Sequence, residues 1–187
     1  NGGTFVESMK QLDGWIGEIM EEMDTLGISE NTVVVIMGDN GHFHKYSPGS
    51  GFTPMIYKGG KGDATDGGVR VDAFVRWPGM IEADSIAADI VHVTDLFTSL
   101  ARFGGAMDKI PTDRIIDGVD QSGLMLIGET HGRRDHVFIY QVDQLAAIVV
   151  GTYLRSMLSA VLAMAADVDC AATKTGGTLV CRILSHL

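Results

Sequence analysis

Asp39 and Asn40 stand side by side where the apolar run Thr32-Val33-Val34-Val35-Ile36-Met37 stops, with Gly38 and Gly41 on either side of them. A carboxylate next to an amide oxygen is a pair of hard donors, better suited to Ca²⁺ or Mg²⁺ than to a soft metal. The flanking glycines leave the backbone able to turn sharply. The same residues also serve in an Asx-type turn without any ligand. A second chemical feature follows. Between His42 and Arg76 the basic residues Lys45, Lys58, Lys61, Arg70 and Arg76 face only Asp63, Asp66 and Asp72, in a chain whose net charge is −10. A basic, glycine-rich stretch in an acidic protein is compatible with a small anionic substrate, and equally with ordinary surface charge. His42 and His44 flank Phe43 just beyond Asn40. Either could line a pocket or donate a proton, but alternating histidines in a loop also occur as plain surface side chains. Neither is assigned a catalytic role.

These residues need elements to hold them. Phe5, Met9, Leu12, Ile16, Ile19, Met23 and Leu26 recur in steps of four and three, the stripe of an amphipathic helix, and its methionines are expected in a core. Gly27 followed by Ile28 reads as its glycine stop. The β-branched run ending at Met37 reads as a buried strand, so helix, turn and strand make an α/β unit whose strand end carries Asp39 and Asn40. Residues 42–70 read as a long loop, the kind that in a compact domain is functional or disordered. Val71 to Trp77 is expected as a strand closed by Pro78-Gly79, and His92 to Phe103 as a helix capped by Thr94 and stopped at Gly104-Gly105. Arg114 to Asp120 reads as a turn-rich connector. Val137–Tyr140 and Ala146–Val150 suggest an antiparallel hairpin. Met157 to Ala166 is small and apolar apart from Ser159, too short for a membrane span and better read as a buried or interfacial helix. There is no internal repeat.

Composition agrees with a soluble globular chain: 187 residues, 45% hydrophobic and 20% charged, enough for one sizeable core. The acidic balance argues against nucleic acid and anionic membranes as partners. Cys170 and Cys181 have no metal-type or redox-type spacing. The chain begins at Asn1 without an initiator Met or a basic-then-apolar opening, so it reads as a piece of a longer protein and leaves localisation and oligomeric state open.

Seven motifs in one order resemble the type I sulfatase (arylsulfatase) family of the alkaline-phosphatase-like superfamily, over roughly residues 10–126. Leu12-Asp13 through Glu30-Asn31-Thr32 is similar to the family's helix and strand entry. Gly38-Asp39-Asn40-Gly41 is similar to its Ser-Asp-Asn-Gly. Gly59-Gly60-Lys61-Gly62 and Asp66-Gly67-Gly68-Val69-Arg70 follow, the latter similar to Glu-Gly-Gly-(Ile/Val)-Arg. Then come Arg76-Trp77-Pro78-Gly79, the helix start Val93-Thr94-Asp95-Leu96-Phe97, and the connector Ile116-Asp117-Gly118-Val119-Asp120.

The resemblance implies Asp39 and Asn40 as ligands of a divalent metal, Ca²⁺ before Mg²⁺, and Lys61 as the catalytic, substrate-binding cation on the sulfate ester. Asp66, shorter than the family's Glu, and Arg70 are expected to shape the site, with Arg70 anchoring the loop to carbonyls or carboxylates. The family's nucleophile is a formylglycine made within Cys/Ser-x-Pro-x-Arg, and no such pentapeptide occurs here. The family's other metal ligands are also absent, so Ca²⁺ affinity should be weak and the chain inactive alone.

The implied fold is α/β: part of an alkaline-phosphatase-like sheet layered with helices, plus the start of a small antiparallel subdomain. Residues 1–110 would belong to the catalytic domain and 111–153 to the subdomain. Residues 154–187 form a divergent tail resembling nothing in the family. The implied reaction is hydrolysis of a small-molecule or carbohydrate sulfate ester. The alternatives are a phosphodiesterase or phosphonate hydrolase of the same superfamily, and a non-catalytic binding domain.

Overall fold

The computed structural model describes residues 4–43, 56–128, 132–151, 153–156 and 182–184. Helix α1 (Phe5–Thr25) is defined at both ends by local chemistry. Glu7 N–H donates to Thr4 Oγ1 at 3.3 Å and Thr4 N–H to the Glu7 carboxylate at 2.8 Å, a reciprocal capping box. At the other end Gly27 has φ +68°, and its N–H donates to Asp24 O at 3.0 Å, while Ile28 N–H reaches Met23 O at 3.1 Å. That is a Schellman stop with glycine in its left-handed position.

The apolar stripe is present, but no residue of α1 is buried. Met9 is 47% exposed and Ile19 58%, which corrects the expectation that this face is core. Among the described residues α1 meets little beyond the single 3₁₀ turn Ser29–Asn31. Among the described residues, caps and propensity support this helix more than packing does.

Strand β1 (Val34–Met37) pairs antiparallel with β2 (Arg70–Arg76), Val34 opposite Arg76 and Met37 opposite Ala73. Strand β2 thus begins one residue before the expected strand and ends one before its limit. It pairs on its other side with β7 (Arg182–Leu184), which lies parallel to β3 (Ile90–His92), giving the order β1-β2-β7-β3. The tail therefore supplies a strand to the main sheet. The apolar run Met157–Ala166 and both cysteines lie outside the described residues.

Helix α2 (Asp66–Val69) is one turn inside the stretch expected as loop, and it feeds directly into β2. Helix α3 (Val93–Phe103) follows β3 without a break. The expected cap at Thr94 is corrected to His92: Asp95 occupies the third helical position, and its carboxylate accepts the His92 N–H at 2.8 Å. Gly104 and Gly105 stop the helix, Gly105 with φ +65°.

After the connector, α4 (Ser122–Ile127) adds Leu124 and Met125 to a cluster with Val71, Ala73 and Val91. The anticipated hairpin is β4 (His136–Gln141) with β5 (Gln144–Val150). Strand β6 (Tyr153–Ser156) extends it to a three-stranded antiparallel sheet. Val137, Ile139, Ala147 and Val149 on this small sheet bury against Val69 of α2 and Ile90 of the main sheet. No helix among the described residues is long and apolar enough to cross a membrane.

Candidate active site

Three glycine-bearing segments meet at the end of β1, and they meet through backbone. Lys61 N–H donates to His42 O at 2.7 Å, Gly41 N–H to Gly68 O at 3.0 Å, and Gly67 N–H to Lys58 O at 2.8 Å. The approach is too close for side chains. A methyl group on Gly41 would lie 2.0 Å from the Gly67 carbonyl oxygen, one on Gly67 2.2 Å from Gly59 O, and one on Gly68 2.0 Å from Asp63 O. The motifs of residues 38–41, 59–62 and 66–70, scattered over some thirty positions of sequence, are therefore one object in space. Glycine is needed there for contact as well as for turning.

Lys61 itself sits in a tight turn. Asp63 N–H donates to Gly60 O at 2.9 Å, and Gly60 N–H donates to Asp63 Oδ2 at 3.0 Å. Gly62 between them has φ +97°, a backbone that only glycine adopts readily. Lys61 is exposed, and so is Asp39. Asn40 Nδ2 donates to Gly41 O at 2.7 Å, which turns its Oδ1 to other uses. A carboxylate beside an amide oxygen, neither engaged by another side chain among the described residues, fits a hard divalent cation. It does not complete a shell: no group of three or more His, Cys, Asp or Glu able to hold a metal occurs among the described residues.

His42 is half-buried and contributes its carbonyl to the Lys61 contact, while His44 lies outside the described residues. Arg70 is corrected from the expected carboxylate or carbonyl anchor. Its guanidinium lies 4.2 Å from the centre of the Tyr57 ring, a cation–π contact that holds the segment before Gly59 against β2.

A polar knot behind α3 was not anticipated. Asp95 is fully buried and accepts from His92 N–H, from Val119 N–H at 2.7 Å, and from Arg134 at 2.8 and 2.5 Å. Arg134 also donates to Asp117 O at 2.7 Å. The motifs Val93–Phe97 and Ile116–Asp120 carry Asp95, Asp117, Val119 and Asp120 in sequence, but nothing there shows that they meet or that Arg134 joins them. Asp120 receives Arg102 at 2.8 Å and Arg133 at 3.3 Å. Burial pushes the Asp120 carboxyl up, but hydrogen bonds from Ser122 and the Arg102 guanidinium outweigh it and hold the group below its ordinary value. The buried Gln121 carboxamide bridges Ile90 O at 3.2 Å and Arg133 N–H at 3.0 Å.

An apolar cavity of about 300 Å³ opens beside β2, lined by residues that include Ala73, Ile81, Ile86, Leu124 and Met125. It shares no residue with the glycine-bearing motifs, and no charged side chain lines it.

Helices layered on a mixed sheet, with glycine loops gathered at one strand end, define an α/β framework, and a solved structure shares it. The crystal structure of the PsFucS1 sulfatase from Pseudoalteromonas sp. superposes with a TM-score of 0.69 at 31% identity, over 76% of this chain and 28% of that one. The Sulfatase family model matches residues 3–106, and the chain belongs to that family. Among its relatives, rat steryl-sulfatase (Rattus norvegicus) is 33% identical over 78% of this chain and 26% of its own length. Mouse N-acetylgalactosamine-6-sulfatase (Mus musculus) is 33% identical over 81% and 28%. An arylsulfatase of Hemicentrotus pulcherrimus is 31% identical over 81% and 26%. The chain thus spans about a quarter of the length of the curated relatives it matches.

Proposed function

We propose that this chain is the part of a sulfuric ester hydrolase that supplies the sulfate-contacting lysine and one edge of a metal site. The observation that carries the reading is the 2.7 Å bond from Lys61 N–H to His42 O, which couples the lysine turn to the Asp39-Asn40 loop. Asp39 and Asn40 would hold a divalent cation, Ca²⁺ by the hardness of their oxygens. Such a cation, when bound, neutralises sulfate oxygens. Lys61 contributes a preorganised positive charge where negative charge grows as the ester bond breaks. The glycine contacts hold the main chain that carries that charge, because each loop blocks the other's movement.

The nucleophile lies in no residue of this chain, and the substrate is a sulfate ester of a small molecule or carbohydrate. In this reading residues 1–110 are catalytic-domain sequence, and 111–153 open a smaller subdomain.

The isolated chain is expected to show no measurable turnover of a chromogenic aryl sulfate, and robust hydrolysis by it alone overturns the division of labour. In a fusion that adds a formylglycine-bearing segment and turns over, Lys61→Ala and Asp39→Ala should each lower the rate by about 100-fold. Turnover unchanged in both variants removes these residues from the site.

A further inference from the structure

We infer that Asp63 is the positioning residue for Lys61. This rests on the reading of Lys61 as the sulfate-contacting cation. The turn Gly60-Lys61-Gly62-Asp63 is closed twice. The main chain closes it from Asp63 N–H to Gly60 O at 2.9 Å, and the Asp63 carboxylate closes it from the other side by accepting Gly60 N–H at 3.0 Å. Glycines on both sides of Lys61, with Gly59 at φ +76° and Gly62 at φ +97°, supply no stiffness of their own. Rigidity must come from contacts: the Asp63 side chain closes the turn from within, and Gln141 Nε2 adds a longer bond to Gly62 O at 3.3 Å from outside it.

The carboxylate also sits within the wider packing. A methyl group on Gly59 would lie 2.7 Å from Asp63 Oδ2, and one on Gly68 would lie 2.0 Å from Asp63 O. Asp63 therefore touches both arms that frame the turn. Its backbone faces the Gly67-Gly68 turn, and its side chain faces the strand leading into Lys61. Holding the turn in one shape is what lets Lys61 N–H meet His42 O, so the lysine is fixed relative to Asp39 and Asn40 through two links that begin at Asp63.

A carboxylate here carries an electrostatic cost. It places negative charge two residues from a cation meant for an anionic ester. Hydrogen-bond acceptance, not charge, is then what position 63 must supply. Asparagine has the same acceptor in nearly the same shape, and should keep the turn while removing the repulsion.

The test uses the full chain as wild type, Asp63→Ala, Asp63→Asn and Lys61→Ala, followed by amide hydrogen exchange resolved residue by residue and by titration with inorganic sulfate. Asp63→Ala should speed exchange at Gly60 and also at Lys61, whose amide does not touch Asp63, by about tenfold each. Asp63→Asn should restore both to near wild type. Exchange at Val71 and Val91 in the sheet should not change.

Acceleration confined to Gly60, equal acceleration in the sheet, or no rescue by asparagine overturns the positioning role. Sulfate titration separates the two readings. A sulfate response that Lys61→Ala leaves intact removes Lys61 from the anion site, while the exchange data still decide whether Asp63 holds the turn. A response lost in Lys61→Ala, weakened in Asp63→Ala and at least maintained in Asp63→Asn is the expected pattern.

Discussion

The glycine cradle at the end of β1 and the polar knot behind α3 solve the same problem by opposite means. Each ties together segments distant in sequence. The cradle does it with main-chain hydrogen bonds and contacts that leave no space for a Cβ. The knot does it with the buried Asp95 carboxylate, which gathers Arg134 and the N–H groups of His92 and Val119. A backbone cradle leaves its side chains free to face a ligand. A charged knot uses up its side chains and has none left for chemistry. Under the proposed function, the difference separates the part of the chain that would offer groups to a substrate from the part that keeps the layers in place.

The sharpest way to break the comparison is at the knot. Asp95→Ala leaves the Arg134 guanidinium, 13% exposed, without its carboxylate, and leaves two backbone N–H groups without their acceptor. Removing one partner of a buried pair typically costs about 3–5 kcal/mol, a large fraction of a domain's stability. Thermal or urea unfolding of the variant should show a loss of that size and drag α3, the 117–119 connector and β4 down together. A loss under about 1 kcal/mol would mean the pair behaves like a surface salt bridge.

The cradle should break differently. Gly68→Ala places a methyl group 2.0 Å from Asp63 O, where backbone and not a flexible side chain must yield. Overpacking of this kind costs about 1–3 kcal/mol, less than the knot variant. Its signature should be local: the amides of Lys61 and Gly41 exchange faster while those of α3 keep their protection. Uniform loosening throughout the chain would show that the cradle is not a separate unit.

How far these two regions could be read in the sequence follows from the same contrast. The cradle's parts were visible, because glycine pairs, Asp39-Asn40 and Lys61 form short motifs whose order is informative even without coordinates. That they touch was not visible, since backbone packing leaves no side-chain pattern. Helix α1 and its C-terminal stop were legible because the apolar stripe and Gly27 are local signals, whereas the Thr4–Glu7 capping box is seen in the structure alone. The exposure of its apolar face was not, since periodicity reports a face and says nothing of what covers it. The Asp95 knot was nearly invisible. Its partner Arg134 is 39 residues away, and a carboxylate at the third position of a helix looks like a cap, which Asp95 also is. The placement of β7 beside β2 rests on register alone and had no local signal.

The smallest expected effect concerns how the two regions respond to acid. The Asp120 carboxyl, at the edge of the knot, is held below its ordinary value in the folded chain, so it binds a proton less readily folded than unfolded. Its contribution is therefore complete above the ordinary carboxylate value of 3.8, and declines as pH falls from there through the lower folded-state value. Asp120→Asn removes the charge that Arg102 and Arg133 meet, for an expected loss of about 1–2 kcal/mol at neutral pH. The gap between wild type and variant should narrow steadily below that ordinary value, because the wild type then loses what the variant already lacks. The cradle's bonds are amide to carbonyl apart from the Asp63 closure, so Gly68→Ala should show no matching convergence. Unfolding curves for the three proteins across acid pH decide it. A gap for Asp120→Asn that stays constant as the pH falls would mean that neither the Ser122 hydrogen bonds nor the Arg102 guanidinium favours the charged carboxylate. The contrast between a charged region and a backbone region would then rest on Asp95 alone.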